Sequence, residues 1–205
     1  MAIAMDLPGL RPDIERATEI VPPSWIDDDG IVELEERYGL LLFERFADGT
    51  LLVTPPAGWT SSSGNAHLTY QVMRWALSGG HGKVLDSSGG VRLPDGSLFV
   101  PGATYISRER WEAADRALTF AHAVPDAVFE ILSESDRVRS TMKKIDAYLR
   151  NGVRLVVLID PMRRKVYVGR EGDSEPEDAG NVDIIDCSPV MPGFVLDVAA
   201  IRDAG

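Results

Sequence analysis

The sequence predicts an α/β (α+β) fold in which a central mixed sheet is flanked by helices. Three observations lead there. Residues 124–161 read as strand, turn, helix, turn, strand. Residues 40–54 read as two strands folded around Asp48-Gly49, an N-terminal β-hairpin. The remaining apolar stretches are short and separated by Pro, Gly and Asp, as in a chain of mixed elements. A length of 205 residues with 44% hydrophobic content suits one domain with a sizeable core.

Residues 1–24 are rich in proline and poor in periodicity, and are expected to form an arm ahead of a single domain spanning 25–205. The segment GIVELEERYG predicts a helix closed by Gly39. Two strands, 40–46 and 50–54, make the hairpin, and Pro55-Pro56 blocks further pairing. Residues 59–64 read as a polar loop and 65–78 as a helix with Leu68, Val72, Trp75 and Ala76 on one face. His67, near its first turn, is expected at the surface. Residues 83–86, 90–93 and 97–106 read as a meander that turns at Pro94-Asp95-Gly96. Ser107 caps a short helix, RERWEAADRAL, anchored by Trp111. After residue 161 come a strand at 165–169, an acidic mobile loop at 170–181, and strands at 182–186 and 194–196 that finish the sheet.

The unit at 124–161 organises the chain. Its first strand, 127–132, sets Val128 and Glu130 on one face and Phe129 and Ile131 on the other. A carboxylate among such neighbours is partly desolvated, which costs several kcal/mol unless a cation or donors meet it. Ser135 or Asp136 can cap the following helix, 137–150, whose Val138, Met142, Ile145 and Leu149 make one apolar stripe. Lys144 lies on one flank with Tyr148, and Lys143 lies on the other; helix geometry leaves both able to reach the strand end that holds Glu130. Asn151-Gly152 stops the helix, and residues 153–159 form an apolar strand covered on both faces. No glycine-rich phosphate loop is present, which argues against a dinucleotide or P-loop site. An acid on a strand and a lysine on the next helix suggest metal-assisted phosphodiester chemistry.

Composition sets limits. Cys187 is the single cysteine, so the chain can form neither an internal disulfide nor a cysteine-based zinc cluster, and a buried thiol is expected. The N-terminus has no basic region followed by an apolar core, and no stretch reaches the ~20 apolar residues that span a bilayer. A cytoplasmic location is the expectation. The net charge of −11 means that binding DNA requires a local basic patch or a divalent metal. Arg137, Arg139 and Lys143, beside Glu130 in sequence, are the candidates for a nucleic-acid contact.

Several ordered segments carry a resemblance: DGTLLVTPP (48–56), MRWAL (73–77), GKVLDSSGGVRLPDGSLFVPGATYISRERW (82–111), PDAVFEILSESD (125–136) and KIDAYLRNGVRLVVLIDP (144–161). Together they resemble the Uma family, described as putative restriction endonucleases, of the PD-(D/E)XK nuclease-like superfamily. The resemblance implies a restriction-endonuclease-like fold and a metal-dependent DNA endonuclease using Mg2+. It assigns Glu130 as a metal ligand and Lys144, four residues before Tyr148, as the catalytic lysine. Leu132 stands at the often basic position two after the Glu. The family's metal-binding Asp follows a proline, and here Pro101 is followed by Gly102. Mg2+ prefers anionic oxygens, so this departure implies a degenerate metal site. Asp126 lies about 13 Å from Glu130 along the strand, too far to share an ion; Asp86, on a preceding strand, is the acid expected to substitute. The alternative expectation is an inactive nuclease-fold module for binding or protein interaction, with a homodimer through a sheet edge or the Trp111 region.

Overall fold

The structure, a computed structural model, describes residues 7, 10, 14–79, 82–114 and 119–204. Its first half runs β1 (Thr18–Ile20), α1 (Asp28–Tyr38), β2 (Leu42–Arg45), β3 (Leu51–Thr54), α2 (Trp59–Ser78), β4 (Lys83–Leu85), β5 (Val91–Arg92) and β6 (Leu98–Phe99). The second half runs β7 (Ala103–Ile106), α3 (Arg108–Ala113), β8 (Ala127–Ile131), α4 (Val138–Arg150), β9 (Leu155–Asp160), β10 (Lys165–Arg170), β11 (Glu177–Gly180), β12 (Ile184–Asp186), β13 (Val195–Asp197) and α5 (Val198–Asp203). The mixed α/β class, the hairpin and the strand–helix–strand unit are as the sequence predicts. The part of the expected α3 helix at 115–118 lies outside the described residues.

The strands form a six-stranded sheet, β11-β10-β9-β8-β7-β4, a five-stranded sheet, β1-β3-β2-β6-β5, and a two-stranded ribbon, β12-β13. Only β8 and β9 pair in parallel in the larger sheet, with Glu130 opposite Leu158, and α4 makes the crossover between them. All six residues of β9 are buried, as a strand covered on both faces requires. On its other side β8 meets β7 antiparallel, with Ala103 opposite Phe129.

Several sequence expectations change. Residues 83–106 are not one meander: β4 and β7 enter the larger sheet, while β5 and β6 join the hairpin in the smaller one. Pro101 lies at the division, and its missing N–H prevents a continuous ladder from β6 into β7. The helix expected to start at Asn65 starts at Trp59, with Gly58 as its N-cap. The polar Thr60, Ser62 and Ser63 occupy an exposed first stretch of helix rather than a loop. Asp136 does not cap α4; its carboxylate turns back to accept from the N–H and hydroxyl of Ser133 at 2.7 and 2.8 Å. Arg137 is the N-cap, without a side-chain hydrogen bond to the helix. The acidic stretch expected as a loop supplies β11, an edge strand paired with β10 and protected from further pairing by its charge. The final strands, expected to finish the sheet, pair only with each other, and Asp197 caps the unanticipated α5 through the Ala200 N–H. Within the expected arm, β1 pairs with β3.

Three apolar clusters hold these layers. One packs α2, α5 and the ribbon on the Phe129 face of the larger sheet, through Leu68, Val72, Phe194, Leu196 and Ile201. A second lies on the Val128 face, where α4 contributes Ile145 and Tyr148 and the smaller sheet contributes Leu52 and Phe99. A third places α1 on the smaller sheet through Ile31, Leu34, Phe43 and Val53. Beside the second cluster, β2, β8 and α4 line one hollow.

Candidate active site

The alternation of β8 decides which way Glu130 points. Ala127 and Phe129 pack into the cluster under α2, while Val128 packs under α4, so Glu130 takes the α4 side with Val128. Lys144 and Tyr148 sit one turn apart on the flank of α4 that meets it. The Lys144 Nζ lies 2.7 Å from Oε1 of Glu130, and the Tyr148 hydroxyl donates to the same oxygen at 2.9 Å. Glu130 is 7% exposed, Lys144 6%, and Tyr148 fully buried.

A second carboxylate completes the cluster. Glu44 of β2, 2% exposed, has its Oε1 2.8 Å from the same ammonium and accepts from the Val100 N–H at 2.7 Å. The sequence reading missed it, although the signal matched that of Glu130: one acid in an apolar strand, LLFERF. On paper the adjacent Arg45 could neutralise it. Alternation sends Arg45 the other way, to the carbonyls of Ile26 and Gly96 and to Asp28 at 2.7 Å.

Burial and charge act together in this cluster. Burial pushes the Glu44 carboxyl above the usual carboxylate range; Lys144 pulls it back, and the neighbouring Glu130 charge adds to the rise. Burial opposes the charge of Lys144, but Glu130 and Glu44 outweigh it and hold the ammonium above an ordinary lysine. Tyr148 is held well above a normal phenol by burial, then by the two carboxylates, so it remains a donor. A lysine held protonated in this way cannot accept a proton near neutral pH. It can supply only positive charge and hydrogen bonds.

The cluster opens into a pocket of about 260 Å3 lined by Glu44, Glu130, Lys144, Asn65 and Gly102, among others. Extending the β7–β8 register by one residue brings Gly102 opposite Glu130. A Cβ on Gly102 would lie 2.8 Å from Oδ1 of Asn65 and 3.2 Å from the Phe129 carbonyl oxygen. That Asn65 oxygen is buried without a hydrogen-bond partner among the described residues.

Residues 33–199 match the model of the Uma2 family, described as "Putative restriction endonuclease". The chain belongs to the Uma2 family. No protein of curated function matches it. Among solved structures it is similar to one titled as a putative nuclease belonging to DUF820 from Anabaena variabilis, with a TM-score of 0.69 and 17% identity, over 80% of this chain and 90% of that one. At that identity the likeness establishes a shared fold.

Within this Uma2 chain, Glu130, Lys144 and Gly102 line one pocket. Asp86 does not line it: it is exposed beyond β4, and its Oδ1 accepts from the N–H and hydroxyl of Ser88 at 3.0 and 2.6 Å. The structure therefore replaces Asp86 with Glu44 as the second carboxylate near Glu130. Lys143, on the opposite flank of α4, is paired with Glu19 at 2.7 Å and is not free to meet a phosphate without breaking that contact. Arg137 and Arg139 are exposed at the start of α4. Asp126 is buried at the other end of β8, where it accepts from the Ser107 N–H and faces Arg110 and Arg154. Among the described residues no group of three or more His, Cys, Asp or Glu side chains could hold a metal ion, and no helix is long and apolar enough to cross a membrane.

Proposed function

We propose that this Uma2 protein is a metal-dependent endonuclease of the PD-(D/E)XK type whose metal site is weakened by glycine at position 102. The observation that carries this reading is the convergence of Glu130 and Glu44 on the Lys144 ammonium, at 2.7 and 2.8 Å, beside Gly102. The donors suit a hard cation: two carboxylates in a polar pocket, with an unpaired amide oxygen nearby. Mg2+ is commonly held by one or two carboxylates together with substrate phosphates. Two acids that already share a lysine favour an ion that arrives with its DNA over one held in the free protein.

Glu130 and Glu44 would hold the ion. Such an ion offsets the negative charge that develops on a phosphoryl group under attack. Lys144, kept protonated by its two acids, places a fixed positive charge at the same spot, where burial strengthens its effect. Tyr148 fixes the rotamer of Glu130. Arg137 and Arg139, exposed at the start of α4, are the residues available to meet flanking phosphates on an otherwise acidic chain.

Incubation of supercoiled plasmid with excess protein and millimolar Mn2+ or Mg2+ tests this. Slow nicking is expected, stronger with Mn2+ and abolished by Glu130→Ala. A second reading, an inactive nuclease-fold module, is favoured by the missing acid at Gly102. It is the outcome if neither metal supports cleavage while the protein still retards DNA or a protein partner.

A further inference from the structure

We infer that Asn65 supplies the third oxygen of the cation site, in place of the acid absent at position 102. The inference rests on the metal-dependent reading above and goes beyond it by naming a ligand. Three observations meet at this residue. Asn65 lies in α2 and lines the same pocket as Glu44, Glu130 and Lys144. Its Oδ1 is buried and has no hydrogen-bond partner among the described residues. The same oxygen stands 2.8 Å from where a Cβ on Gly102 would be, in space that a side chain at 102 would need.

A buried amide oxygen without a donor costs roughly 1–3 kcal/mol, so its position calls for a partner. The neighbouring cation, Lys144, is already shared by two carboxylates. A divalent ion held by Glu130 and Glu44 would give Asn65 the electropositive partner it lacks, since amide carbonyls are ordinary ligands of hard cations. The glycine at 102 leaves room for that amide. A larger residue there must displace the flexible Asn65 side chain, and it also presses on the Phe129 carbonyl oxygen at 3.2 Å, which is main chain of β8. A side chain at 102 and the Asn65 amide in its present rotamer thus compete for the same space. A neutral amide in that place gives a weaker site than a carboxylate would.

The test is Mn2+ titration followed by calorimetry and by the EPR signal of free Mn2+, on the full chain, for wild type, Asn65→Asp, Asn65→Ala and the pair Gly102→Asp/Asn65→Ala. Thermal melts check that each variant folds. Asn65→Asp is expected to bind Mn2+ about tenfold or more tightly than wild type, and Asn65→Ala about tenfold more weakly. If Asn65→Asp binds no more tightly than Asn65→Ala while the paired variant gains affinity, the metal reading stands and the role of Asn65 is overturned. If no variant binds Mn2+, either alone or with a short DNA duplex, both fall.

Discussion

Replacing Lys144 by Met is the most informative single change. It keeps most of the stem volume and removes the one cation that Glu44 and Glu130 share at 2.8 and 2.7 Å, with the lysine side chain only 7% exposed. Removing one partner of a buried ion pair costs about 3–5 kcal/mol, because the remaining charge is left unpaired. Here two carboxylates are stranded. They can escape part of the penalty by taking up a proton, and Glu44 is already pushed in that direction by burial. A loss near 3 kcal/mol is therefore the working figure. For a domain of this size, that corresponds to a fall in Tm of roughly 6–12 °C. The sign with pH follows from the raised Glu44 carboxyl: a group whose folded pKa is raised favours folding below its unfolded pKa and loses that contribution as pH rises through the folded value. The deficit of Lys144→Met should be small near pH 5 and full by pH 8. Thermal unfolding by circular dichroism at both pH values, for wild type, Lys144→Met and the triple variant Glu44→Gln/Glu130→Gln/Lys144→Met, measures it. The triple variant should recover most of the loss. A Lys144→Met protein that melts within about 2 °C of wild type at pH 8 would refute the shared-cation cluster.

Three further outcomes follow from the same geometry. Tyr148→Phe removes a fully buried donor to Glu130 and should cost about 1.5 kcal/mol in urea unfolding, since the carboxylate keeps Lys144. Arg45→Met leaves the carbonyls of Ile26 and Gly96 without their buried donor, while Asp28 keeps Arg92 at 3.2 Å, and should destabilise by about 2 kcal/mol, measured the same way. Burial pushes the Cys187 thiol up to about 12, so it should resist a thiol reagent at pH 8 until urea unfolds the chain. Because that folded pKa lies above the unfolded one near 9, the thiol's contribution is present below pH 9 and is lost towards pH 12; Cys187→Ala should flatten the alkaline fall in stability.

The parts of the fold that were legible in the sequence were those with a strict period. The alternation of β8 puts Glu130 on the Val128 face and the stripe of α4 puts Lys144 on the Tyr148 flank, because both patterns fix a side chain's direction without knowledge of its neighbours; the choice of Lys144 over Lys143 rests on the family resemblance. Glu44 is not legible because its partner, Lys144, lies a hundred residues away on α4. Strand order points to Asp86 as the second acid, but its turn satisfies it locally through Ser88. The split of residues 83–106 between two sheets depends on which strands pair across the chain, and periodicity carries no record of that. The early start of α2 was hidden for a different reason: an exposed first stretch of helix and a polar loop have the same composition.

The most direct measurement is Mn2+ binding by EPR to wild type and Glu130→Gln, each with and without a short DNA duplex. Weak binding by the wild-type protein alone, clear tightening when DNA is added, and loss of that tightening in Glu130→Gln are predicted. Tightening by DNA that is equal in both proteins would contradict a metal site built on Glu130.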